Sequence, residues 1–377
     1  MDHINIIQSI HACKDCKTCM EYCDTFMVSN DVLKSPNGRL RIAKKIFIEE
    51  EITDEEIIGL YTCTLCALCD LVCQENILIS KIIHYSKMKL VEQNKAPLLI
   101  HNKIIKDIIE RDNSVNGNPE ERLNWLPEEY KDKELYENND SDTCLFLGCM
   151  SSFRVKESAS AAYKILKEFD YDFKIFRNEP CCGEYIYSAG NLDLAKKVFQ
   201  SNIELFKSKG IKNLIVTCGG CLYAFDKVYP LYINDYKINV RHIIDIIYEL
   251  ESKNKLDLNP LNRSITYHDP CRLGRKYAEE PLFMQPRALL NKCGIEVKEL
   301  AEEHNECPCC GAGSGIRGVD SSISIKIGKK IFEKTQTKEI ASSCPLCIFN
   351  FRYVNYKTQL DKEIKYITDY ILESLKK

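Results

Sequence analysis

The chain is predicted to be an α+β multidomain protein: a small helical, cysteine-rich amino-terminal domain followed by a duplicated α/β unit built on small parallel sheets. Three observations predict this. Eight cysteines crowd into two clusters within the first 95 residues. Beyond residue 143, apolar strand-like runs alternate with helical runs, the pattern of parallel strands covered by helices. That alternation occurs twice, with matching cysteines offset by 122 (Cys149 to Cys271), 128 (Cys181 to Cys309) and 126 (Cys218 to Cys344) residues. Near-constant offsets in order and spacing mark a duplicated unit. The expected division is 1–95, a polar strap over 96–142, a first repeat over 143–260 and a second over 261–377.

The bulk properties narrow the class. A chain of 377 residues, 45% hydrophobic and 28% charged, is long enough for two or three domains with their own cores. A net charge of −3 leaves no basic excess to neutralise phosphates, which argues against a nucleic-acid binder. The start, "MDHINIIQSIHACKDC", has neither a basic n-region nor an apolar h-region. No apolar run reaches 18 residues, so a cytoplasmic location is expected, with the inner face of a membrane reached only through a partner. The 21 cysteines are the outlier. A reducing compartment disfavours disulfides, so metal is the expected use.

In the first domain, "LRIAKKIFIEEE" and "TDEEIIGLY" read as short amphipathic helices, the second started by a capping box of Thr53 and Glu56. The strap is rich in Asn, Asp and Glu, and Trp125 is expected to pin it to a domain. The first repeat then reads as strand "TCLFLGC", helix "SASAAYKILKEF", strand "DFKIF", the CCG triplet, helix "LDLAKKVFQSNIELFKSKG", strand "NLIVTC" and "CGGC". The second reads as strand "SITYHDPC", a helix around "LFMQPRALLNKCG", strand "IEVKEL", CCG, helix "SISIKIGKKIFEKTQT", strand "EIASSC" and "CPLC". The cysteines fall at the carboxyl ends of strands, where such sheets collect ligands.

The amino-terminal clusters are specific. Cys13, Cys16, Cys19 and Cys23 are spaced C-x2-C-x2-C-x3-C, and Cys63, Cys66, Cys69 and Cys73 repeat that spacing. Two-residue gaps let three thiolates converge on one cube of iron and sulfide, while the fourth points to a second cube. One cubane [4Fe-4S] cluster is therefore assigned to Cys13, Cys16, Cys19 and Cys73, the other to Cys63, Cys66, Cys69 and Cys23. Zinc would need only two separated C-x2-C knuckles and has no use for a third cysteine at this pitch. Asp24 and Gln74 stand where the bacterial ferredoxin run ends in proline.

Each repeat supplies five further cysteines: Cys149, Cys181, Cys182, Cys218 and Cys221, then Cys271, Cys309, Cys310, Cys344 and Cys347. Adjacent cysteines cannot easily face one small tetrahedral ion, but they can bridge irons of a larger, more open cluster. Five thiolates also exceed the need of a cubane or a structural zinc. In isolation, Cys218-Gly-Gly-Cys221 and Cys344-Pro-Leu-Cys347 match thioredoxin-like dithiols. A CCG at matching distance before each favours ligation.

These motifs carry a resemblance. C-x31-CCG-x34-CxxC followed by C-x37-CCG-x32-CxxC is similar to the duplicated cysteine-rich domain of heterodisulfide reductase catalytic subunits. With the amino-terminal clusters, which resemble an α-helical ferredoxin domain, the layout resembles the fused, D-type form of that catalytic chain over nearly the whole length. "TYHDPCRLGRK" and "CCGAGSGIR" match that family's wording, although Arg272 stands where histidine is frequent and "CGGC" lacks the usual proline. The resemblance implies that each five-cysteine set binds a noncubane [4Fe-4S] cluster. A disulfide of the coenzyme M–coenzyme B type would lie between the two clusters and be cleaved to two thiols, in anaerobic methanogenesis. Zinc in one such site is the lesser alternative. No flavin or nicotinamide site is expected, so electrons would come from a partner: a flavoprotein, a hydrogenase or formate dehydrogenase module, or a membrane cytochrome. The competing function is a non-catalytic electron-transfer subunit of a glycolate, lactate or glycerol-3-phosphate dehydrogenase, although relatives of that kind commonly lack cysteines in one repeat.

Several residues stay open between two readings. His268, Arg272 and Arg275 surround a ligand cysteine, where they would bind an anionic substrate group or deliver a proton, or else orient the cluster loop, as Asp269 would. Cys144 and Cys293 read as buried small hydrophobes, and Cys307 is a spare thiol beside the second set. Finally, Gly313-Ser-Gly315-Ile-Arg-Gly318 matches G-x-G-x-x-G. "HNECPCC" separates it from the preceding strand, and no acid follows at the required distance, so the match is a glycine-rich turn.

Overall fold

The structure is a computed structural model that describes residues 3–132, 140–253, 256–277 and 279–376. Its amino-terminal part is helical. Helix α1 (Pro36–Phe47) begins with Ser35, whose hydroxyl accepts the Gly38 N–H, and with proline in its first turn. Helix α2 (Asp54–Tyr61) begins with the expected capping box, Thr53 and Glu56 each accepting the other's backbone N–H. Helix α3 (Ile79–Glu92) packs along α1. Leu40, Ile42, Ile46, Leu60, Ile82 and Ile83 from the three helices form one small core.

The strap holds more structure than its composition suggests. It contains a 13-residue helix, α4 (Leu99–Arg111), and two 3-10 turns, Pro119–Glu121 and Glu128–Tyr130. Trp125 is buried against Tyr163 of the first repeat, as expected of a pin.

Each repeat is a parallel sheet with helices on its faces. The first has β1 (Thr143–Phe146), α5 (Lys156–Glu168), α6 (Leu192–Ser208), β2 (Asn213–Val216), β3 (Asn239–His242) and α7 (Ile243–Ser252), with strand order β1-β2-β3. The second has β4 (Arg263–His268), α8 (Met284–Lys292), β5 (Ile295–Lys298), α9 (Ser321–Lys334), β6 (Glu339–Ser342), α10 (Pro345–Thr358), β7 (Glu363–Tyr366) and α11 (Ile367–Ser374), in the order β5-β4-β6-β7. The expected strand "DFKIF" is reduced to a single bridge: Lys174 and β1 exchange two backbone hydrogen bonds, of 2.9 and 3.0 Å. The chain turns at Asp170 (φ 49°) just before it and leaves at once for the CCG loop, so too few residues run alongside β1 to extend the ladder. With that bridge counted, the two sheets have the same order.

The closing strand and helix of each repeat, β3 with α7 and β7 with α11, are additions to the expected elements. One apolar core runs through both repeats, and the Tyr366 hydroxyl donates to the Thr217 carbonyl across their junction at 2.7 Å. The duplicated units therefore form one body. Among the described residues, no helix is long and apolar enough to cross a membrane.

Candidate metal centres

The two amino-terminal loops adopt the same unusual backbone. Asp15 and Lys17 in the first, and Leu65 and Ala67 in the second, all have positive φ, between 52° and 65°. Ordinary residues avoid that region, so each loop carries strain that bends it around a centre. A one-turn helix follows in each, Thr18–Glu21 with Cys19 and Leu68–Leu71 with Cys69.

The thiols of the two loops lie close enough to perturb one another, within each loop and between them. Burial pushes Cys19 up to about 12, and Cys13, Cys23, Cys73 and Cys16 add to the rise. Cys69 is raised by burial and then by Asp70, Cys63, Cys66 and Cys23. A cavity of ≈ 20 Å³ is lined by Cys23, Cys63, Cys66 and Cys69, and by Cys309 of the second repeat. Arg39 tests whether an anionic group fits here. Its side chain is 1% exposed and donates to the Gly59 carbonyl (2.8 Å) and to the hydroxyls of Thr25 (3.1 Å) and Thr62 (3.2 Å). Among the described residues no carboxylate pairs with it, and its remaining nitrogen faces the Cys23 sulfur at 3.8 Å. A buried guanidinium with only neutral partners costs several kcal/mol unless an anion neutralises it. The thiolate set of an iron–sulfur cluster fits that need.

The two five-cysteine sets are buried at the sheet ends. In the first, Cys149 contacts Cys181, Cys181 contacts Cys182, and Cys182 and Cys218 both contact Cys221. In the second, Cys309 contacts Cys310, and Cys310 and Cys344 both contact Cys347, while burial raises the neighbouring Cys271. The second cysteine of each pair is the one pushed down, to about 6. Thiol hydrogen bonds from Cys181 and Cys221 do this to Cys182, and bonds from Cys309 and Cys347 do it to Cys310. Gly183 and Gly311 close each pair at φ 75° and 81°. A Cβ at Gly311 would stand 2.9 Å from the Ser324 carbonyl oxygen, and one at Gly183 3.0 Å from the Phe199 ring. Cys218 also contacts Cys344, so the two sets meet. Among the described residues, no three His, Cys, Asp or Glu side chains are grouped as a single metal ion would hold them.

Known proteins match in the same places. Residues 9–77 match the 4Fe-4S dicluster domain, and residues 143–226 and 265–352 match the cysteine-rich domain CCG. The chain joins a 4Fe-4S dicluster domain to two CCG domains. It is 24% identical to one of the subunits of the dihydromethanophenazine:CoB–CoM heterodisulfide reductase of Methanosarcina mazei, over 98% of this chain and 95% of that protein. It is 28% identical to an uncharacterized iron-sulfur protein of Methanococcus maripaludis, over 93% of this chain and 69% of the relative. It is 25% identical to one of the subunits of the CoM/CoB fumarate reductase of Methanothermobacter marburgensis, over 94% and 69%.

Between the CCG domains lies a cavity of ≈ 150 Å³. All five cysteines of the first domain line it, with Glu184, Tyr185, Arg272, Ser314 and Arg317. The second domain's five cysteines do not. Cys309 instead faces the dicluster domain, its sulfur contacting Cys66 and its N–H bonded to the Asp24 carboxylate at 2.8 Å.

Of the three residues expected at a substrate, the cavity includes only Arg272, which is ion-paired with Glu184. Arg275 lies elsewhere, donating to the carbonyls of Cys66 (2.7 Å), Asn305 (2.7 Å) and Cys307 (2.8 Å) and clamping the second cysteine loop of the dicluster domain to the second CCG loop. His268 is buried, donates from Nε2 to the Pro308 carbonyl at 3.0 Å, and is held uncharged by burial. Asp269 takes both Arg287 and the His304 N–H, orienting the loop before Cys307. In the first domain Glu179 has the matching task. It accepts the Leu147 and Gly148 N–H groups, both at 2.8 Å, and pairs with buried Arg122 of the strap at 3.3 Å. Cys144 and Cys293 are fully buried, and Cys307 does not line the cavity.

Sequence reasoning passed over Arg317, Tyr185 and Ser114. Arg317 has no carboxylate partner among the described residues and lies over the Phe349 ring at 4.3 Å. The Ser114 hydroxyl lies 3.3 Å from the Cys149 sulfur. Ser114 stands in a polar stretch and Arg317 in a glycine-rich turn, neither with a spacing rule for a substrate group; only their place on the cavity marks them.

Proposed function

We propose that this chain is the disulfide-reducing component of a larger redox complex. The observation that carries the reading is the inter-domain cavity, walled by a complete five-thiol set on one side and by the second domain's Ala312–Gly318 loop on the other. Cys13, Cys16, Cys19 and Cys73, and Cys63, Cys66, Cys69 and Cys23, would hold two cubane clusters. Cys149, Cys181, Cys182, Cys218 and Cys221, and Cys271, Cys309, Cys310, Cys344 and Cys347, would hold two noncubane clusters. When bound, such clusters carry single electrons and offer iron to sulfur.

The chain's own residues then do the rest. Cys16, the most exposed ligand of its loop, marks where a donor protein would dock. Arg39 keeps negative charge tolerable beside Cys23, and Arg275 holds Cys66 against the second CCG domain, shortening the route inward. At the cavity, Arg272 is committed to Glu184, which leaves the Arg317 guanidinium to hold an anionic group of the substrate. Leu346, Ile104 and Met150 exclude water from the remaining wall.

One assay tests this reading. Anaerobically purified protein carrying about 16 irons is given a reduced low-potential one-electron dye and coenzyme M–coenzyme B disulfide, and dye oxidation is followed. Turnover with two thiols formed per disulfide is expected. Intact clusters without turnover would instead make the chain an electron-transfer component of a dehydrogenase. The second domain's cysteines, set away from the cavity, favour that runner-up.

A further inference from the structure

Reductive cleavage of a disulfide needs protons as well as electrons: R–S–S–R′ + 2 e⁻ + 2 H⁺ gives two thiols. The cavity is mostly apolar, and the two ionised groups that face each other in it, Glu184 and Arg272, neutralise one another. Directly behind it lies a charge that the cluster chemistry does not use. Lys87 of α3 is fully buried, and among the described residues it has no carboxylate partner. Its ammonium donates to the Ser314 hydroxyl at 2.7 Å and lies 4.9 Å from the centre of the Tyr61 ring. Ser314 is itself buried, held at φ 53°, and lines the cavity.

We propose that Lys87 and Ser314 form a proton relay that delivers one of the two protons to thiolate released in the cavity. The proposal rests on the disulfide-reducing reading of the cavity. Ser314 has the geometry of a relay. It accepts a short bond from Lys87, and its own proton goes into a long bond of 3.3 Å to the Ser188 carbonyl. Turning the hydroxyl by one rotamer step exchanges that weak bond for one to an acceptor in the cavity, at little cost. The hydroxyl then gives its proton to the thiolate and takes one from the ammonium. Lys87 is left as a neutral amine, which water recharges once the product has gone. Charge and atoms balance: R–S⁻ and –NH₃⁺ become R–SH and –NH₂.

Two further observations fit. Burial pushes Lys87 down to about 8, with Cys63 and Glu184 raising it and Arg39 and Arg272 lowering it. That is close to an ordinary thiol, so transfer is nearly balanced in both directions. The groups facing Lys87 are Ser314 from the second domain, the Tyr61 ring from α2 and His101 from α4, the last held uncharged by burial. Around the relay, among the described residues, the Tyr185 hydroxyl at the cavity wall has no hydrogen-bond partner, and the ring of fully buried His101 has only the Ser314 backbone beside it as one. Buried polar groups are rarely left so. Ordered water or a substrate group would satisfy them and extend the relay.

The test uses the full chain with its clusters. Lys87→Met removes the proton, Lys87→Arg keeps the charge but cannot release it, and Ser314→Gly removes the hydroxyl at a backbone angle that glycine prefers. Iron content and thermal unfolding check that each variant is assembled. The first readout needs no disulfide: proton uptake on stoichiometric reduction by dye, measured between pH 7.5 and 9 with an indicator in weak buffer. Uptake centred near pH 8 is expected in the native chain. It should be lost in both Lys87 variants and slowed in Ser314→Gly. The second readout is reduction of coenzyme M–coenzyme B disulfide. Lys87→Met, Lys87→Arg and Ser314→Gly should each be roughly 100-fold slower, and the native rate should fall above pH 8 as Lys87 loses its proton. Uptake that is unchanged in Lys87→Met, or native rates in Lys87→Arg and Ser314→Gly, overturns the relay and leaves the disulfide reading standing. If the native chain reduces no disulfide, that reading falls, and the relay, which has no thiolate to protonate, falls with it.

Discussion

The two CCG domains carry the same five cysteines in the same order, yet the fold uses them differently. The first set walls a cavity, and Ser114 from the strap reaches its Cys149. The second set is pressed against the dicluster domain, where Cys309 contacts Cys66 and Arg275 ties three carbonyls together. Duplication therefore copied the cysteines and left their surroundings free to diverge. What packs on the sheet ends decides the difference: the strap and the second domain's loop on one side, the dicluster domain's second cysteine loop on the other.

The sharpest way to break this comparison is to remove the central cysteine of each set. Cys182→Ala and Cys310→Ala should each lose about four irons by metal analysis. Only the first should also free the cavity wall for alkylation of Cys149 or Cys221. Equal labelling of the two variants would make the sets equivalent. Next come the anchoring arginines. Arg122→Ala strands the buried carboxylate of Glu179 and should cost about 3–5 kcal/mol in chemical unfolding of the holoprotein. Arg275→Ala leaves three carbonyls that water can reach and should cost about 1.5–3 kcal/mol. The reverse order would mean that the second domain depends more on its clamp than the first does on its strap.

The glycines sharpen the same contrast at a smaller scale. Gly311→Ala drives a Cβ into a backbone oxygen, whereas Gly183→Ala meets side chains that can move. Beyond the about 1–2 kcal/mol that both incur for positive φ, the second-domain variant should show the larger fall in melting temperature. The smallest effect is expected at the cavity rim. Arg317→Ala should raise KM for an anionic disulfide about tenfold, equivalent to about 1.4 kcal/mol, with iron content unchanged. An unchanged KM would remove Arg317 from substrate binding.

Much of this was legible in the chain. The x2-x2-x3 spacing announces two tight cysteine loops, and both bend through positive φ around their thiols. The capping box at Thr53 and the duplicated strand–helix order are equally local, and both are present in the structure. The misses have physical reasons. β3 and β7 are four residues long with only two buried positions each, too short for alternation to register. "DFKIF" has the composition of a strand, but a turn immediately before it and the CCG loop beyond leave it one bridge. His268 and Arg275 share a motif with Arg272, yet successive residues at a strand end leave in different directions. One is buried in the sheet, one spans to another domain, and Arg272 alone reaches the cavity.

The sequence by itself determined the thiol inventory, its grouping and the repeat, because ligand spacing and hydrophobic period are written over a few residues. Only the tertiary structure decided which five-thiol set faces a cavity, that Arg39 and Lys87 are buried charges without carboxylate partners among the described residues, and that Ser314 links one of them to the cavity. Those facts depend on contacts between residues as far apart as Lys87 and Ser314. No local pattern encodes which surfaces three folded units will press together.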